Sequence, residues 1–235
     1  MRSWFDYSKC RKDARGVYVL GYSQIENSID SFLKKEHPEV LAYPQEVPVE
    51  NWIDSGEFGF SLEFRNLVFP QAKGFTAFSK MVAGVKNSET GAIELVPIEE
   101  NTVVLDETEE DSQSHFTAGH ELAHILLHSY YFQNHADALA AHADVVPFRL
   151  SSRHPCFWLE RQADYAAGAL VMPRCTFLKL YQNFCRANFL ARLDSESGAL
   201  FEFVTEAKKV YNVSRKAAEI RLEQLNLFGG GEWGR

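Results

Sequence analysis

The sequence predicts an α+β fold, with a small, mostly antiparallel sheet packed on one buried helix and a helical piece at the C-terminal end. Three observations predict it. Residues 58–69 alternate and are rich in aromatics, the period-two pattern of a strand. Residues 81–85 and 92–96 are apolar runs flanking Asn87-Ser88-Glu89-Thr90-Gly91, which is turn chemistry between paired strands. On either side of this centre apolar residues recur at helical spacing, most densely over residues 115–128.

Taken in order, residues 1–19 are mixed and charged and read as a leader or edge element. Over residues 23–35, Ile25, Ile29, Phe32 and Leu33 mark one face of a helix. Pro38, Pro44 and Pro48 make residues 37–48 a connector. A short helix over 49–53 turns Trp52 and Ile53 inward. The strand over 58–69 and the hairpin follow, then a strand over 102–105. The densest helix comes next, with Asp111, Ser112 and Ser114 as candidate N-caps.

Residues 129–157 read as a partly helical, exposed insertion near the mouth of a cleft. Its His135-Ala136-Asp137 and His142-Ala143-Asp144, seven residues apart, are too weak a cluster to define a second cation site. Residues 158–172 form another helix, ended by Pro173. Phe177, Leu178, Tyr181 and Phe184 give the next apolar face, and Asp194-Ser195-Glu196-Ser197-Gly198 is a polar break. Helices over 200–211 and from Ser214 to Leu225 close the fold as a hairpin like a helix-turn-helix, with Ser214 as N-cap. The expected division is a leader (1–19), a main domain (20–180), a C-terminal helical subdomain (181–228) and a disordered tail (229–235).

With 235 residues, 46% hydrophobic and 24% charged, the chain has an ordinary globular composition and supports one sizeable core. Its net charge of -8 argues against nucleic acid as the main partner, which wants a basic footprint. Lys208, Lys209, Arg215, Lys216 and Arg221 on the last two helices interleave with Glu202, Glu206, Glu219 and Glu223, the pattern of a solvated face. Cys10, Cys156, Cys175 and Cys185 show no paired spacing and read as free thiols. The absence of an apolar signal segment and of a run of roughly 18 apolar residues predicts a cytoplasmic protein with no membrane partner.

The chemistry sits in His120-Glu121-x-x-His124. Residues i and i+4 share a helix face with Cβ atoms roughly 5–6 Å apart, so two imidazoles can converge on one Zn²⁺. Glu121 lies about 100° round the helix from His120 and about 60° from His124, which puts its carboxylate beside the metal, where a water-activating base belongs. Downstream, Glu160 and Asp164 again share a helix face. One carboxylate can complete a His₂Glu set with a position left for water, and the other can accept a ligand histidine's remaining N–H. Ala163, Ala166, Ala167, Gly168 and Ala169 leave little bulk, so the two helices can approach closely. His128, about 80° round from His120, reads as a satisfied core histidine, or one bonded behind a ligand, rather than a fourth ligand, because catalytic zinc keeps an open position. His115 reads as near the surface.

These motifs resemble the ImmA/IrrE-type zinc metallopeptidases, in which a helix "FT-x-x-HE-x-x-H-x-x-LH" precedes "E-x-x-A-[ND]-x-[FY]-A-x-x-L-x-MP". Phe116, Thr117, His120, Glu121, His124, Leu127 and His128 match the first pattern. Glu160, Ala163, Asp164, Tyr165, Ala166, Leu170, Met172 and Pro173 match the second, and Val213-Ser214-x-x-Ala217-Ala218-x-x-Arg221-Leu222-x-x-Leu225 gives a third match. Gly119 and Ala123 reverse the small residues the family often has before its histidines.

The resemblance covers roughly residues 45 to 228. It implies a zincin-like domain and a zinc endopeptidase with His120, His124 and Glu160 on the metal, Glu121 as base and Asp164 orienting a ligand histidine. Tyr130, Tyr131, Tyr165 and His128 are the candidates to support the oxyanion. It also implies that an edge strand within 80–105 holds the peptide, and that the substrate is a helix-turn-helix transcriptional repressor, as in mobile elements. The rival reading is a non-catalytic module that sequesters a regulator, and a third is a DNA-binding regulator acting through residues 200–226.

Overall fold

A computed structural model describes residues 7–8, 10–14, 16–69, 73–134, 157–194 and 198–229, and it has an α+β architecture. The antiparallel strands β1 (Arg11–Lys12) and β2 (Tyr18–Val19) precede helix α1 (Tyr22–Glu36). Ile25, Ile29, Phe32 and Leu33 form the buried face of α1, as their spacing predicts. After a 3-10 turn at Pro38–Leu41 comes α2 (Val49–Asp54), which buries Trp52 and Ile53.

The strand expected over 58–69 is broken at Asn66 into β3 (Ser61–Arg65) and β4 (Leu67–Phe69), which join different sheets. Next come β5 (Gly74–Ala77), the hairpin β6 (Met81–Lys86) and β7 (Ile93–Ile98), and β8 (Thr102–Asp106). In the hairpin turn Gly91 takes φ 70°, where a side chain would be strained, and its N–H donates to the Asn87 carbonyl at 2.8 Å. One sheet has the order β3-β8-β5, with β8 parallel to β3 and antiparallel to β5. The other, β4-β6-β7, is antiparallel throughout. β8 is covered on both faces, which explains its unbroken apolar run. Val103 and Leu105 join the helical core, while Val104 meets Phe75, Ala77, Ala83 and Ile98 between the sheets.

The helices are α3 (Asp111–Asn134), α4 (Phe157–Val171), α5 (Arg174–Ala187), α6 (Gly198–Tyr211) and α7 (Arg215–Gln224). Two short strands, β9 (Leu193–Asp194) and β10 (Phe228–Gly229), pair in parallel. α3 begins before its apolar stripe does, so Asp111, Ser112 and Ser114 lie in its first turn and do not cap it. The Glu110 carbonyl takes the N–H groups of Gln113 and Ser114 there, at 2.8 and 2.9 Å. Ser214 does cap α7, accepting from the Ala217 N–H at 3.1 Å. One core runs from Leu20 to Leu222 through α1, β8 and α3–α7, and residue 180 falls inside α5.

Small residues let α3 and α4 pack closely, and Gly119 is the tightest point: a Cβ there would stand 2.7 Å from Val171 Cγ1. Gly168 serves a different neighbour, since its Cβ would meet the Gln224 side chain of α7 at 3.0 Å. Arg221 lies wholly buried, not on the solvated face expected for it. Its guanidinium donates to both Glu26 oxygens, at 2.6 and 2.9 Å, and to the Met172 carbonyl at 3.0 Å. The Tyr165 hydroxyl also donates to Glu26, at 3.0 Å. This network ties α7 to α1 and to the end of α4.

His135, Asp137, His142, Asp144 and Cys156 lie outside the described residues, as do residues 1–6 of the expected leader and residues 230–235 of the expected tail. Cys10, Cys175 and Cys185 form no disulfide with one another. Among the described residues no helix is long and apolar enough to cross a membrane.

Candidate metal centre

α3 rests against β5 and β8 on one side and against α4 on the other. Its four-residue spacing stacks His120, His124 and His128 along the stripe that faces α4, and all three are buried. α4 supplies Glu160, also buried, from its first turn. His120 Nε2 and His124 Nε2 lie 3.0 Å apart, 3.2 and 3.5 Å from the two Glu160 oxygens. One ligand atom from each of His120, His124 and Glu160 lies within 4.8 Å of the others, a group that can hold a metal ion.

The donor set fits a cation. His120 Nδ1 stands 3.0 Å from Asp164 Oδ1. A carboxylate only accepts, so Nδ1 carries the hydrogen and a neutral ring turns the Nε2 lone pair toward His124 and Glu160. Lone pairs and a carboxylate crowded at one buried point require a positive charge. Two imidazoles and one carboxylate suit Zn²⁺. Without a metal ion, burial opposes charge on His120, but the hydrogen bonds to Asp164 and Glu160 outweigh it and hold the ring well above its ordinary pKa of 6.5. Asp164 is largely exposed, so it serves this role from the solvent side of the cluster.

Glu121, next to His120 on α3, is buried, and the Thr76 hydroxyl of β5 donates to its Oε2 at 2.7 Å. The strand that bonds Glu121 is therefore β5, outside the 80–105 stretch. Within that stretch β8 is flanked on both sides, β6 is central in the other sheet, and β7 is that sheet's outer strand. Thr76 was missed because Gly74-Phe75-Thr76-Ala77 is short and lacks alternation. Gln162 was missed because it lies about 200° round α4 from Glu160. It sits 3.2 Å from His128 Nε2 through its Oε1.

Of two further histidines, His115 differs from the surface position expected for it. His115 is buried, with Nδ1 2.9 Å from Glu50 Oε1 of α2. His37 stacks on Trp52 with ring centroids 3.7 Å apart. Of the four oxyanion candidates, Tyr165 is committed to Glu26, and His128 to Gln162 and His124. Tyr130 accepts from the Tyr18 N–H at 3.1 Å and packs with Tyr7 and Tyr18, while Tyr131 is buried against Phe132.

The chain matches no protein-family model and no curated protein. Among solved structures it is similar to one described as a Mycobacterium tuberculosis transcriptional regulator, at 14% identity and a TM-score of 0.44. The match covers 87% of this chain and 52% of that one, so the chain spans about half that protein's length.

Proposed function

We propose that the protein is a zinc-dependent endopeptidase with a zincin-like domain of the ImmA/IrrE kind. The observation that carries this reading is the buried convergence of His120, His124 and Glu160, with a further buried carboxylate, Glu121, next to His120 on α3. A metal held only for structure has no use for that extra carboxylate. His120, His124 and Glu160 would hold Zn²⁺, which when bound supplies a Lewis acid that makes a water acidic and polarises a carbonyl. Glu121 takes the proton from the attacking water and returns it to the leaving amine. Thr76 holds one oxygen of Glu121, which orients the carboxylate. Asp164 keeps the hydrogen of His120 on Nδ1 and leaves Nε2 for the metal.

The resemblance extends the proposal to a cytoplasmic enzyme whose substrate is a helix-turn-helix repressor, so that cleavage relieves repression. The test joins metal analysis to co-expression. Wild type should carry about one zinc per chain, the complement of a three-ligand catalytic site, and Glu160→Ala should lose it. A repressor encoded beside this chain should be cleaved by wild type and left intact by Glu121→Gln. Repressor inactivated without cleavage, equally by both proteins, would replace the peptidase with a sequestering module.

A further inference from the structure

We infer that Gln162 and His128 form a hydrogen-bond relay, begun at the backbone of the N-terminal strand pair, that fixes which nitrogen of His124 is free for a metal. The inference rests on the metal-binding half of the proposed function and not on cleavage.

The relay starts at the Tyr18 carbonyl, a group that only accepts. The Gln162 Nε2 amide donates to it at 2.8 Å, which orients the side chain and points Oε1 at His128. That oxygen also only accepts, so the hydrogen of neutral His128 resides on Nε2, 3.2 Å away. The other nitrogen of His128, Nδ1, is then a lone pair, 3.1 Å from His124 Nδ1. His124 must therefore carry its hydrogen on Nδ1, and its Nε2 lone pair faces His120 and Glu160. Each hydrogen points the same way, from the metal group outward to Tyr18.

Burial makes the relay binding rather than incidental, because Gln162, His128 and His124 are 2%, 1% and 0% exposed. Reversing one hydrogen would leave two donors or two acceptors facing each other away from water. The two ligand histidines are thus set differently. His120 is set by the exposed carboxylate of Asp164, and His124 by a neutral chain that adds no further negative charge. The anchor is itself held. The Tyr18 N–H donates to the Tyr130 hydroxyl at 3.1 Å, and Tyr7 stacks on the Tyr18 ring while donating to the Leu127 carbonyl. β1 and β2 therefore belong to the support of the metal group.

The experiment reads histidine tautomers by long-range ¹H–¹⁵N spectra of the full-length zinc-loaded protein, with zinc affinity measured by competition against a chromophoric chelator. The expected spectra place hydrogen on Nε2 of His128 and on Nδ1 of His124. Gln162→Leu should leave His128 mixed between tautomers and weaken zinc about tenfold. His128→Leu should weaken it by about 10- to 100-fold. His128→Asn, whose Oδ1 falls near the lost Nδ1 and still accepts, should recover most of that affinity, whereas a mere packing role predicts no recovery.

Hydrogen on Nδ1 of His128 in the parent protein would overturn the relay. So would His128→Asn binding zinc as poorly as a folded His128→Leu. Should the leucine variant not fold, the parent spectrum and Gln162→Leu decide. Failure of wild type to take up zinc removes the metal reading itself, while loss of repressor cleavage alone leaves the relay untouched.

Discussion

At the scale of single residues, the site depends on which atoms carry hydrogen. Thr76→Val keeps the shape of the side chain but removes the donor to buried Glu121. Stability should fall by about 1–3 kcal/mol in urea denaturation, the cost of an unmade hydrogen bond to a buried charge. His120 gives the pH dependence. Its pKa without metal is raised, so its protonation stabilises the metal-free fold fully below 6.5, and that stability is lost as pH rises through the raised value. On the proposed function, zinc has to displace this proton. Apparent zinc affinity should therefore climb with pH up to the raised pKa, and loading near neutrality should release protons. Calorimetry in two buffers of different ionisation enthalpy would register the release, and its absence would mean that His120 is already neutral.

At the scale of elements, the α3–α4 contact sets the distance between the histidines and Glu160. Gly119→Ala drives a methyl into Val171, a buried branched side chain with little room to move. The variant should lose about 1–3 kcal/mol by denaturant melt. Zinc affinity should drop with it, because α4 must shift and carries Glu160. The sequence made this pair of helices legible through local periodicity: His120, His124 and the pair Glu160 and Asp164 are each one turn apart. Gly119 could be identified as small but not as tight, since Val171 lies 52 residues away. β5 was illegible because its four residues depend on pairing with β8 and show little pattern of their own. Arg221 was misplaced because charge on a helix ordinarily seeks water, and its acidic partner lies on α1, 195 residues distant.

At the scale of the whole molecule, that ion pair joins the first long helix to the last. Arg221→Met leaves Glu26 buried without its cation and should cost about 3–5 kcal/mol. Burial alone would raise the pKa of Glu26, but the hydrogen bonds from Arg221 and Tyr165 outweigh it and hold the carboxyl below its ordinary 4.5. Wild type therefore keeps this stabilisation above 4.5 and loses it as pH falls through the lower folded value. In Arg221→Met burial goes largely unopposed, so protonation relieves the variant. The stability gap between the two proteins should narrow as acid is added, and a gap that stays constant with pH would place the energetics elsewhere. The clasp also has a consequence for biosynthesis. At about 5–20 residues per second, Glu26 is added to the growing chain some 10–40 seconds before Arg221. A nascent chain holds every side chain of the proposed metal group before it holds the arginine that locks their scaffold, so prematurely terminated products should emerge unable to retain zinc if that proposal holds.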